Sequence, residues 1–170
     1  YAPFGYDIVN KKYVINDLEA YYVRKMFDAA QSKEGFTALI KEMAAAGITG
    51  KRGKPIKYPQ IYEILRNEKY TGLYAYSPVQ AKNRADRRTK PDSIKIENAL
   101  PVIISKAQFM EVQKIMNAKK RIDEKKRQYD TLMKNIAAGV LLGEVLADIG
   151  EQMKELKAEI AALEQTEPSK

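Results

Sequence analysis

At 170 residues, 45% hydrophobic and 31% charged, the chain can build a real core and is not a disordered tail. It contains no cysteine and no histidine, which excludes disulfides, thiolate and imidazole metal sites, and any nucleophile paired with a histidine base. The net charge of +8 is uneven: residues 1–121 hold 23 Lys and Arg against 12 Asp and Glu, while residues 122–170 hold 7 against 10, and a basic body joined to a mildly acidic tail suggests two jobs, one for a polyanion and one for protein.

The opening, YAPFGYDIVNKKYVIN, has turn and short-strand character, with Tyr13, Val14 and Ile15 as its β-favouring run. Asn16 followed by Glu19 forms a capping-box pattern, and Val23, Met26, Phe27 and Ala30 repeat at helical spacing. A helix is expected over about 17–32, ended by Gly35. A second, about 37–46, carries Leu39, Ile40, Met43 and Ala44 on its buried stripe and stops at a left-handed Gly47. The loop ITGKRGKPIKY then gathers Lys51, Arg52, Lys54 and Lys57 ahead of a third helix, about 59–67, with Pro59 at its first position.

Residues 70–76, YTGLYAY, read as extended, and 94–104 can pair with them as a β-hairpin with Pro101 at an edge or bulge. The polar basic loop between them carries Arg84, Arg87 and Arg88. Ser105 and Gln108 form another capping box, opening a helix through Phe109, Val112 and Met116 into the Lys119–Arg121 cluster. From Ile122 the pattern changes. Leu146, Ile149, Met153, Leu156, Ile160 and Leu163 follow a heptad seam, and Ile122, Tyr129, Leu132 or Met133, and Ile136 give a looser upstream stripe. Gly139 and Gly143 bracket the point of reversal, so 122–165 reads as an antiparallel helical hairpin. Its apolar tip, Val140, Leu141 and Leu142, is a candidate protein contact.

The expected architecture is mainly α: a helical DNA-binding domain with a small β-hairpin over 1–121, then an antiparallel coiled-coil hairpin over 122–170. Cations directly before a helix N-terminus converge with backbone N–H groups and the helix dipole on one phosphate-sized region. Lys51, Arg52, Lys54 and Lys57 are thus the expected backbone clamp, with Gln60, Tyr62 and Arg66 as base-edge readers. Arg84, Arg87 and Arg88 are expected to form an arm that orders on DNA. Tyr70, Tyr74 and Tyr76 admit a base-stacking role, although packing in core and sheet is the commoner use of tyrosine. No serine has a base beside it and no carboxylate cluster resembles a metal site, so no cofactor is expected in this chain. No apolar run reaches a membrane span and no signal-like segment opens the chain, so no membrane partner is expected. A start on Tyr1 suggests a piece of a longer protein.

In order and spacing these segments resemble the DNA-binding "recombinase" domain of large serine recombinases, the phage integrases and mobile-element recombinases. The matching pieces are Pro3-Phe4-Gly5-Tyr6; Val23-Arg24 and Met26-Phe27; Ile40 to Ala46-Gly47-Ile48-Thr49; Gly53-Lys54-Pro55; Ile61 and Ile64-Leu65-Arg66-Asn67; Tyr70-Thr71-Gly72; and Leu100-Pro101-Val102-Ile103-Ile104-Ser105, then Phe109 and Val112-Gln113. The resemblance implies sequence-specific duplex binding at a recombination site, a cytoplasmic, nucleoid-associated location, and a coiled coil that contacts other recombinase subunits. It also implies a serine catalytic domain and a zinc ribbon elsewhere in the parent protein. The ribbon cysteines are absent here, trimmed away, lost, or left out between Lys119 and Ile122. On this reading the chain alone is not an enzyme, its catalytic domain being absent. The rival readings are a transcriptional regulator dimerised through the coiled coil, and a protein whose basic face meets RNA.

Overall fold

The computed structural model describes residues 2–32, 35–76, 93–138 and 143–166. The chain divides into two compact units, Tyr1–Gln113 and Lys114–Lys170, and the division falls inside one continuous helix. The architecture is mostly helical, with short antiparallel strand pairs in the first unit and a long antiparallel helix pair in the second.

The first unit opens with a hairpin of β1 (Tyr6–Val9) and β2 (Lys12–Ile15), paired from Tyr6↔Ile15 to Val9↔Lys12. Asn10 and Lys11 both take positive φ, 49° and 62°, the handedness that matches a two-residue turn to the twist of its strands. Sequence alone points only to short-strand character here, because Asn-Lys lacks the glycine that usually marks such a turn. Helix α1 (Asp17–Ser32) follows, capped by the Asn16 Oδ1, which accepts from the Glu19 N–H at 3.1 Å. The expected reciprocal half of that capping box is not made. The Glu19 carboxylate accepts instead from the Gly5 N–H, at 2.8 Å.

Helix α1 packs against α2 (Thr37–Ala45) and α3 (Tyr58–Leu65), burying Ala20, Tyr22, Val23, Met26 and Phe27. The end of α2 is closed by Gly47 at φ +69°: its N–H bonds the Ala44 carbonyl, and the Ile48 N–H bonds that of Met43. This is the paired 5→2 and 6→1 pattern of a glycine-stopped helix. Ala44, expected on the buried stripe, is exposed, while Leu39 and Met43 are buried. Beyond α3, a 3-10 turn (Glu68–Thr71) ends at Gly72, φ +87°, where a Cβ would lie 3.1 Å from the Leu100 carbonyl oxygen.

Strands β3 (Tyr74–Tyr76) and β4 (Ile94–Ile96) form the second antiparallel pair. Only this short piece of the 94–104 stretch is strand. Residues 99–104 dock instead on the preceding turn: Ala99 and Leu100 donate to the Gly72 carbonyl, and Ile103 and Ile104 to that of Tyr70. At the centre lie Tyr6 and Tyr70, stacked at 5.8 Å with rings 9° apart; Phe27 meets Tyr70 and Phe109 edge-on or tilted. Each buried hydroxyl donates to a carbonyl, Tyr6 to Pro101 at 2.7 Å and Tyr70 to Phe4 at 2.8 Å, so neither is left unpaired.

Helix α4 (Lys106–Ala137) is continuous, with no glycine or proline to break it, and α5 (Gly143–Thr166) returns antiparallel. In the second unit Lys126 pairs with Glu164 at 2.6 Å, Lys125 with Glu159 at 2.6 Å, and Lys157 lies over the Tyr129 ring. The seam is the heptad set. Ile149, Met153, Leu156, Ile160 and Leu163 turn inward between exposed neighbours, opposite Ile122, Tyr129, Leu132 and Ile136. Leu132 takes the inward position that sequence left open, and Met133 is exposed. Among the described residues no helix is long and apolar enough to cross a membrane.

Candidate nucleic-acid interface

The basic loop is a defined turn. Thr49 bridges Pro55, the Gly53 N–H donates to the Gly50 carbonyl at 2.8 Å, and the Gly50 N–H donates to that of Lys54 at 2.9 Å. Gly53, at φ +69°, supplies the left-handed residue that closes it, which leaves Lys51 and Arg52 at the two central positions. Two residues beyond Pro55, extended Lys57 leads into α3, and the Gln60 side chain reaches back so that its Oε1 accepts from the Lys57 N–H at 3.1 Å. A hydrogen-bonded turn and a capped helix thus hold the expected clamp residues in one short stretch.

The four cations divide into two kinds. Arg52, Lys54 and Lys57 are exposed and form no ion pair among the described residues. Lys51 is already engaged: its Nζ lies 2.7 Å from Asp7 Oδ1 and 2.8 Å from Glu19 Oε2. Asn16 donates its side-chain N–H to the other Asp7 oxygen at 2.8 Å. The bond from Lys51, and after it the one from Asn16, holds the Asp7 carboxyl below its ordinary range. For Lys51 burial pulls the other way, but the bonds to Asp7 and Glu19 outweigh it and its pKa is raised. Lys51 therefore ties the loop to β1 and to the first turn of α1.

Of the expected base readers, Gln60 lies on a different face of α3 from Tyr62, and Arg66 stands at the helix end. Tyr62 is half-buried, its ring edge-on to Phe36 at 6.0 Å, and Phe36 also meets Tyr58. Its ring is thereby used in seating α3 on the start of α2. Arg66 is exposed at the C-terminal cap of α3. Gln60 lines an open groove shared with Arg52, Lys54 and Phe4, and two residues not singled out from the sequence, Glu63 and Asn67, line it as well. The spacing of 60 and 63 was the available signal, since i and i+3 share one helical face, whereas Asn67 lies past the Arg66 cap, at the start of the 3-10 turn. Glu63 forms no ion pair among the described residues, and the Asn67 Oδ1 accepts from the Lys69 N–H at 3.2 Å.

Tyr70 is in the core, which removes it as a stacking platform; Tyr74 is half-buried with Lys69 over its ring, and Tyr76 is exposed. Arg84, Arg87 and Arg88, and the tip residues Val140, Leu141 and Leu142, lie outside the described residues.

No curated protein matches the chain. A solved structure from work on the sequence requirements of the Listeria innocua prophage attP site is 26% identical and covers 68% of this chain and 42% of its own, with a TM-score of 0.48. A second, the crystal structure of an LSR-DNA complex, is 27% identical and covers 68% of this chain and 32% of its own, with a TM-score of 0.46. The chain thus spans less than half the length of either. A family model described as Recombinase matches residues 17–119. That match corrects the expectation that the chain is not an enzyme, its catalytic domain absent. The family covering most of its length is the recombinase family itself, and the lack of a histidine-paired serine does not decide membership. From the first turn of α1 into the middle of α4, the residues follow one family's pattern, and the chain belongs to the Recombinase family.

Proposed function

We propose that this chain recognises a recombination half-site in duplex DNA as the targeting part of a serine site-specific recombinase of the large, phage-integrase type. The observation that carries this reading is the set of three cations, Arg52, Lys54 and Lys57, that form no ion pair among the described residues and are fixed in a hydrogen-bonded turn and at the cap of a helix whose exposed polar face lines the adjoining groove. Cations on a preformed backbone meet phosphates with little ordering cost, and the adjoining helix is then set against base edges. In this proposal residues 1–121 engage DNA and the 122–170 hairpin contacts other recombinase subunits, in a cytoplasmic, nucleoid-associated setting. Lys51 has a supporting part, holding the turn on the domain.

The test is competition at fixed salt between a labelled duplex and unlabelled RNA of equal length. Duplex DNA should displace the probe at lower concentration than double- or single-stranded RNA, because the A-form major groove is too deep and narrow for a helix to read. Equal displacement by RNA would refute duplex recognition.

A further inference from the structure

Taking duplex binding as proposed above, we infer that Glu63 is a specificity residue that reads a base amino group in the major groove, the N4 of cytosine, with Gln60 and Asn67 beside it as hydrogen-bond donors. The two amides are not free to present either end. Gln60 uses its carbonyl oxygen to accept from the Lys57 N–H at 3.1 Å, and Asn67 uses its own to accept from the Lys69 N–H at 3.2 Å. In a planar amide this turns the NH₂ away from the backbone. Adenine is read by an amide that offers oxygen and nitrogen together; with the oxygen held toward the backbone, each side chain presents its NH₂ outward, set to donate to an acceptor such as guanine O6 or N7.

Between them Glu63 can only accept. It forms no ion pair among the described residues, although Arg52 and Lys54 line the same groove. A carboxylate at the face that meets a polyanion lowers affinity unless it meets a donor. The major groove offers two amino donors, cytosine N4 and adenine N6; adenine sets its N7 acceptor beside the amino group, where it repels a carboxylate, so cytosine is the base that pairs with Glu. Its value is therefore discrimination: it penalises every sequence that places an acceptor there. Gln60 and Glu63 lie three residues apart on one face of the helix, near enough to address neighbouring pairs.

The experiment is selection of the whole 170-residue chain against a randomised duplex library at fixed salt, for the native sequence and for Glu63→Gln. The native chain should enrich a cytosine at one position beside a guanine. Glu63→Gln should lose that cytosine alone, and its affinity for the native-selected duplex should fall on the order of 5- to 100-fold. Its affinity for the unselected library should hold or rise, since a negative charge has been removed. Glu63 is exposed, so the variant keeps the fold. Identical enriched sequences for both proteins would overturn the assignment of Glu63 while leaving duplex binding standing. Failure of the native chain to retain any duplex would overturn both.

Discussion

Replacing Arg52, Lys54 and Lys57 together by glutamine separates the cations proposed to contact DNA from Lys51, which is paired with Asp7 and Glu19. Each phosphate contact contributes about 0.9 to the slope of log K against log salt, so the triple variant should flatten that slope by about 2.7. Between about 50 and 200 mM salt, the native chain should then lose about forty-fold more affinity than the variant. Lys51→Gln should behave differently. Its ammonium is already neutralised by Asp7 and Glu19, so the slope should change by less than one contact, about 0.9. Its cost should appear in folding instead. The side chains of Lys51 and Glu19 are only 20% and 17% exposed, and a charge-assisted bond there, discounted for solvent, is worth about 1–2 kcal/mol. A unit of this size loses roughly 4–8 °C of thermal midpoint per kcal/mol. Fluorescence anisotropy on a labelled duplex across a salt series gives the slopes, and thermal unfolding gives the stability. An unflattened slope in the triple variant removes the loop from the interface. A Lys51→Gln protein with a full contact's loss of slope and an unmoved midpoint refutes the division of the cluster.

At the β1–β2 turn, Lys11 holds φ 62°, a conformation costing a side-chain-bearing residue roughly 1–2 kcal/mol. Lys11→Gly should raise the unfolding free energy by about 0.5 kcal/mol after the glycine's unfolded-state entropy is subtracted, read as a slightly higher denaturant midpoint, and Lys11→Val should lower it. Burial pushes the Tyr6 phenol up to about 12 and raises Tyr70 as well, with Tyr6 and Glu19 adding to the effect on Tyr70. Both pKa values are raised above the unfolded value, so the stability they hold is complete below about pH 10 and is lost as pH climbs toward 12. Thermal midpoints measured from pH 8 to 12 should fall over that window. Ultraviolet titration should show Tyr6 and Tyr70 ionising only as the protein unfolds. Ionisation of Tyr6 and Tyr70 near pH 10 with the fold intact would contradict the buried pair.

The residues whose roles were legible in the sequence are those decided by neighbours along the chain. Gly47 stops α2 because a left-handed residue completes bonds to Met43 and Ala44 a few positions back, and that requirement is local. The α5 seam follows from spacings of three and four, which put Ile149, Met153, Leu156, Ile160 and Leu163 on one side of any helix. The gathering of Arg52, Lys54 and Lys57 ahead of α3 is likewise written in order and composition. Tertiary structure alone decided which partners those residues meet. Lys51 pairs with Asp7 and Glu19, carboxylates 44 and 32 positions away, because the hairpin and α1 bring them within bonding distance. Tyr62 is taken by Phe36, whereas Glu63 and Asn67 come to line the groove. Helical spacing fixes which residues share a face, but the neighbouring elements that pack beside a helix determine which face is covered and which remains open.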